Sequence, residues 1–119
     1  YHGAPEMQVL DDAGHPDGRS LLTSAGSNYG LHGVPRDIVR PAGQWNTSRI
    51  VVVNKQVEHW LNGAKVVEYE LGSADWAQRV ANSKFAQWPA YGRASRGHIG
   101  IQDHGDRVSF RNFKIREIG

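Results

Sequence analysis

The run Trp45-Asn46-Thr47-Ser48-Arg49-Ile50-Val51-Val52-Val53-Asn54-Lys55-Gln56-Val57-Glu58-His59-Trp60-Leu61-Asn62-Gly63-Ala64-Lys65-Val66-Val67-Glu68-Tyr69-Glu70-Leu71 decides the fold. Residues 45–53 end in four β-branched side chains suited to a buried pleated surface. Asn54-Lys55 reads as a tight turn and residues 56–61 as a second strand. Asn62-Gly63 is the dipeptide preferred in a type I′ hairpin, and residues 65–71 supply a third strand. Three consecutive antiparallel strands make a meander.

Working outward, residues 6–10 alternate, with Met7 and Val9 on one side and Glu6, Gln8 and Leu10 on the other. Residues 11–27 are loop-like, and residues 28–34 hold a short strand through Tyr29 and Leu31. Residues 73–86 form the one credible helix: Ser73 caps it, Asp75 favours its dipole, and Trp76, Val80 and Lys84 share a face. Two strands, residues 98–102 and 107–117, close the chain. Val108 and Phe110 differ in parity from Phe113 and Ile115, so a bulge near Arg111-Asn112 is needed to bring all four to one core. Strands predominate, and an all-β, antiparallel β-sandwich of two sheets with one short helix insertion is expected. Such a sandwich built from residues 1–119 alone has open edges, and Tyr1-His2-Gly3 has no initiator Met. Both features point to N-terminal strands missing from this segment.

One domain fits 119 residues, and 39% apolar content is ordinary for a globular protein. No stretch approaches the roughly 20 apolar residues of a membrane-spanning helix. The formal charge is only +2 and the basic residues are scattered, so nucleic acid is not an expected partner. With no cysteine, thiolate nucleophiles and Cys-based zinc sites are excluded.

Strand parity nominates the chemistry. Glu6 and Gln8 face away from the side of Met7 and Val9, and Gly100, Gln102 and His104 away from the side of Ile99 and Ile101. Arg111 has the outward parity of the last strand. Were these strands to share a sheet, an acid, two amides, an imidazole and a guanidinium would converge, groups of the kind that bind sugars. His59 shares the parity of Val57 and Leu61 and reads as a hydrogen-bonded, partly buried residue. Trp45, Trp60 and Trp76 read as core or lid packing. His15, in an Asp-rich loop, is a candidate metal ligand or base, although no His-x-His or HExxH spacing is present.

Five ordered segments carry a more specific signal: Glu6-Met7-Gln8-Val9-Leu10-Asp11, Trp45-Asn46, Val57-Glu58-His59-Trp60-Leu61-Asn62-Gly63, Gly97-His98-Ile99-Gly100-Ile101-Gln102-Asp103-His104-Gly105 and Phe110-Arg111-Asn112-Phe113. Together they resemble the 3-keto-disaccharide hydrolase family. The resemblance implies the C-terminal part of a concanavalin A-like jelly roll, a bacterial protein that is periplasmic or secreted, and cleavage of glycosides oxidised to a ketone at C3. It sets Glu6, Gln8, Asp11, Gln102 and His104 on motif positions. A C3 ketone acidifies the proton on C2, so a modest base forms an enolate, the C1 substituent leaves, and water adds back. His104 or Glu6 is the candidate base, Gln102 or Arg111 the oxyanion stabiliser, and Gln8, Asp11 and Arg111 the substrate contacts. A divalent metal held by His15, His104 or Asp11 is the other candidate stabiliser. The alternative is a non-catalytic carbohydrate-binding module of the same fold.

Overall fold

The computed structural model describes residues 2–35 and 38–118; Tyr1, part of the reading of the chain's start, lies outside them. The meander is there. Strands β1 (Ser48–Val53), β2 (Gln56–Leu61) and β3 (Ala64–Glu70) form one antiparallel sheet in the order β1-β2-β3. Val53 faces Gln56 across the first turn and Leu61 faces Ala64 across the second. Asn62 and Gly63 both take the left-handed backbone, at φ 51° and 85°, as a type I′ turn requires.

One face of the sheet is buried. Val57, His59 and Leu61 of β2 and Val67 and Tyr69 of β3 point to it, the alternate positions that strand geometry places on one side. Helix α1 (Ala74–Ala81) contributes Trp76 to the same core, where Leu31, Val34, Phe85 and Tyr91 join it. Four aromatic rings run through it as a stack: Tyr69 to Trp76 at 5.4 Å, Trp76 to Tyr91 at 5.8 Å, and Tyr91 to Phe85 at 4.3 Å. Each such contact adds roughly 0.5–1.5 kcal/mol beyond the area it buries.

Ser73 caps α1 as expected, its Oγ accepting from the Trp76 N–H at 3.1 Å, with Asp75 in the first turn. The helix stops at Ala81, and a separate 3-10 turn, Lys84–Gln87, follows under its own cap at Ser83. Lys84 is therefore not on the helical face of Trp76 and Val80. That break turns Phe85 into the core and directs Lys84 elsewhere.

Residues 6–10 do not form a regular strand. Met7 makes one isolated bridge to Asn28, and Val9, expected in the core, is exposed. The segment is held by its backbone: Gln8 N–H donates to Ser27 O at 3.0 Å and Gly26 N–H to Gln8 O at 2.8 Å. Gly26 presses against the sheet, where a Cβ would stand 3.2 Å from Leu61 Cδ2. Only a residue without a side chain fits there at φ 85°. Tyr29 belongs to a tight turn and not to a strand, since Asn28 bridges back to His32.

The two closing strands expected at residues 98–102 and 107–117 are not formed: both stretches lack strand pairing and lie exposed. Ile99 and Ile115 are each 78% exposed, and Ile101, Val108, Phe110 and Phe113 are exposed with them. In β1, Ile50, Val52 and Val53 are exposed instead of buried. Alternation tells which side of a strand is apolar, but it does not supply the sheet that would cover that side. The described residues thus contain one sheet, and the second sheet of the expected sandwich is not among them. The bulge expected near Arg111-Asn112 has no strand pair to interrupt, and the four apolar residues it was to bring to one core are exposed, although Asn112 has φ 57° and the rings of Phe110 and Phe113 meet at 5.6 Å. No helix among the described residues is long and apolar enough to cross a membrane.

Two imidazoles sit in the interior. His59 is 1% exposed, with Nδ1 donating to Gly26 O at 3.0 Å and the Tyr69 hydroxyl 3.4 Å from Nε2. His32 stacks on the Tyr69 ring at 5.0 Å, with the Asn28 amide 3.0 Å from Nδ1. Burial holds both below the ordinary histidine value; at His32 the Arg79 charge adds to this, with Asp75 opposing. The unfolded chain, with histidines near about 6.5, then binds more protons than the folded one in mildly acidic solution. The stability these groups contribute is present above that value and is lost as pH falls through the folded-state values. Melting temperatures should therefore fall as buffer is lowered from about pH 7 to about pH 5. An unchanged melting temperature across that window would show that the imidazoles are protonated without cost.

Candidate active site

Charges from distant parts of the chain act on Glu6. Tyr29 N–H donates to Glu6 O at 3.0 Å, so the backbone pairing that holds residues 6–8 also sets Glu6 beside Tyr29. The Tyr29 hydroxyl donates to Asp17 Oδ2 at 3.3 Å. Asp17 stands on a 3-10 turn, Pro16–Arg19, capped by His15. From the opposite direction the Lys84 ammonium lies over the Tyr29 ring, 4.5 Å from its centre, and 5.3 Å from that of Phe85.

These neighbours set the proton affinities. Burial pushes the half-buried Glu6 carboxyl above its ordinary value of 4.5, while the Lys84 and His104 charges pull it down and Asp17 pushes it up. Tyr29 is raised as well, first by burial and then by Asp17. A carboxylate of raised affinity is a stronger base than one in water, and nearby cations favour charge developing on a ligand.

Residues 1–116 match the family described as the 3-keto-alpha-glucoside-1,2-lyase-like domain. The chain belongs to this family. It is 36% identical over 131 aligned residues to the 3-keto-disaccharide hydrolase of Bacteroides thetaiotaomicron, with 99% of this chain and 45% of that protein covered. The chain therefore spans about half the length of that relative. A crystal structure of a candidate glycosyl hydrolase from Parabacteroides distasonis is 33% identical with a TM-score of 0.64, covering 76% of this chain and 44% of the other. A second from the same organism is 32% identical with a TM-score of 0.52, covering 56% and 35%.

In this chain, the residues expected at the site are only partly gathered. Glu6 and His104 lie within electrostatic reach of each other. Gln102 is exposed two residues before His104, on the same unpaired segment. The Gln8 amide is committed to Thr23 O at 3.1 Å, and Asp11 accepts from the Ala13 N–H of its own turn at 3.3 Å. Arg111 stacks on Trp45, its guanidinium carbon 4.0 Å from the ring centre, and Trp45 is half exposed even so and not a core residue. The single shared sheet that parity required is absent, because residues 6–8 and 98–104 belong to no common sheet.

The three candidate metal ligands are not gathered either. His15 Nδ1 accepts the Asp17 N–H at 3.1 Å and so closes a turn. Among the described residues, no group of three or more His, Asp or Glu side chains could hold a metal ion. The fit of a metal to Asp11, His15 and His104 is poor.

Asp17, Tyr29 and Lys84 were not legible as site residues. No spacing links positions 6, 17, 29 and 84; turns and a backbone bridge bring them together. A groove of about 350 Å³ lies elsewhere, between α1 and the turn at Gly30-Leu31. There Arg79 is already locked to Asp75 Oδ2 and Leu31 O, each at 2.8 Å. Its role is to pin the turn to the helix.

Proposed function

We propose that this chain is part of an enzyme that cleaves 3-keto-glycosides, 3-keto-disaccharides in particular, with Glu6 as the base that removes the C2 proton. The half-buried Glu6 carboxyl, raised in proton affinity by burial and set beside Tyr29 by a backbone hydrogen bond, carries the reading. The C2–H electron pair moves into a C2=C3 bond and the C3 oxygen becomes an enolate oxyanion. The enolate collapses, re-forming the C3 carbonyl and making a C1=C2 double bond as the C1–O bond breaks, and the departing alkoxide takes up a proton. Water then returns hydroxyl to C1 and a proton to C2, so the net change is hydrolysis. His104 is the candidate proton donor to the leaving group, and Gln102 a neighbouring hydrogen-bond donor to the sugar. Gln8, Asp11 and Arg111 are substrate contacts only if their present partners release them.

The fold that supports this reading is a concanavalin A-like jelly roll of which residues 1–119 are the C-terminal part. Two observations favour it. The apolar side of β1 and the alternating apolar residues of the C-terminal segment are exposed, and more than half of the relative's length lies outside the match. A periplasmic or secreted location belongs to the same reading.

Incubation of the purified protein with a 3-keto-disaccharide, and with the same disaccharide unoxidised, tests the assignment. The expected result is cleavage of the keto form only, with deuterium appearing at C2 in D2O. A carbohydrate-binding module would retain oligosaccharide on a column and convert neither compound.

A further inference from the structure

We propose that Lys84 acts in the reaction above, its ammonium taking the charge that develops on the C3 oxygen as Glu6 removes the C2 proton. The inference rests on that reading and adds a residue to which no role attaches from sequence. Lys84 opens the 3-10 turn Lys84–Gln87, anchored on one side by the Ser83 cap at 3.1 Å and on the other by Phe85, which is buried in the core. Its backbone is thus held on both sides, and the Tyr29 and Phe85 rings attract the ammonium at 4.5 and 5.3 Å. Tyr29 in turn hydrogen-bonds through its backbone to Glu6.

A cation in a fixed position is what enolate formation needs. The base and the developing oxyanion are on adjacent carbons, C2 and C3, so the two groups that serve them must lie close together. Among the described residues, Lys84 leads the cations whose charge acts on the Glu6 carboxyl. The raised affinity of Glu6 follows first from its burial, with the Lys84 charge opposing it. Lys84 is itself exposed, and the two rings beneath its ammonium limit the positions it takes, so a cation so placed meets developing charge with little reorganisation.

The test compares Lys84→Met and Lys84→Arg in the purified protein, with a 3-keto-disaccharide as substrate and C2–H exchange in D2O as a second readout. Lys84→Met should lower kcat by on the order of 10²-fold with KM changed little, and Lys84→Arg should recover part of the loss. Exchange at C2 should slow in parallel, because the enolate itself is less stable. Should Lys84→Met fail to fold, Lys84→Gln serves the same comparison. If turnover falls while C2 exchange keeps the wild-type rate, Lys84 serves the leaving group and the proposal is overturned. Full kcat in a folded Lys84→Met, beside an inactive Glu6→Gln, overturns it while leaving the base assignment intact. A wild-type protein that converts no 3-keto-disaccharide removes the reading on which both rest.

Discussion

Glu6→Gln lowers turnover of a 3-keto-disaccharide by on the order of 10³-fold, within the usual range for losing a general base. The amide keeps the shape and the polarity of the carboxyl but cannot accept the C2 proton. Because Tyr29 bonds to the backbone of residue 6 and not to its side chain, the pairing of residues 6–8 is unaffected. The substitution also removes a half-buried ionisable group, so the variant should melt at the wild-type temperature or slightly above. In the wild type, kcat/KM should rise with pH through the ionisation of Glu6. That limb should lie above the ordinary 4.5, because burial raises the carboxyl. His104→Ala should cost less than Glu6→Gln, since His104 stands on an exposed segment and acts on Glu6 through space. Steady-state rates across pH, with melting curves for each variant, check all three statements. Equal activity of Glu6→Gln and wild type would return the base assignment to His104.

His59→Ala has the opposite signature: it costs stability and leaves the chemistry of the folded fraction alone. The substitution empties a site that is 1% exposed. It takes away the donor to Gly26 O at 3.0 Å and the ring that meets Tyr69 edge-on at 5.5 Å. A cavity together with an unpaired buried carbonyl costs about 3 kcal/mol or more. For a small domain this is a fall of roughly 10 °C or more in Tm. The effect is large because Gly26 is buried against the sheet, so its carbonyl is left without a donor and out of reach of water. Thermal melts and rates corrected for the folded fraction check the prediction. A fully folded, inactive His59→Ala beside an active Glu6→Gln would move the active face to Val57, His59 and Leu61.

Local chemistry made the meander legible. Asn62-Gly63 tolerates the left-handed backbone, and Val57, His59 and Leu61 alternate with period two, so turn and buried face follow from residues close in the chain. The Ser73 cap and the buried role of His59 followed in the same way. The closing strands did not. Ile99, Ile101, Val108 and Phe110 have a strand's alternation, but pairing depends on a partner strand that alternation does not name. Lys84 was misplaced for a related reason: the helical period continues past Ala81 on paper, whereas the Ser83 cap starts a new turn.

Five ordered segments, read by themselves, were enough to determine the family of this protein, the run of residues 45–71 its three-stranded meander, and motif position with strand parity the candidacy of Glu6 and His104. Only the tertiary structure joined Glu6 to Asp17, Tyr29 and Lys84, and only it committed Gln8, Asp11, His15 and Arg111 to structural partners. The division has a physical cause. Turn preference and strand alternation act between residues a few positions apart, whereas the electrostatics of a site depend on distance and burial, which exist only after the chain has packed.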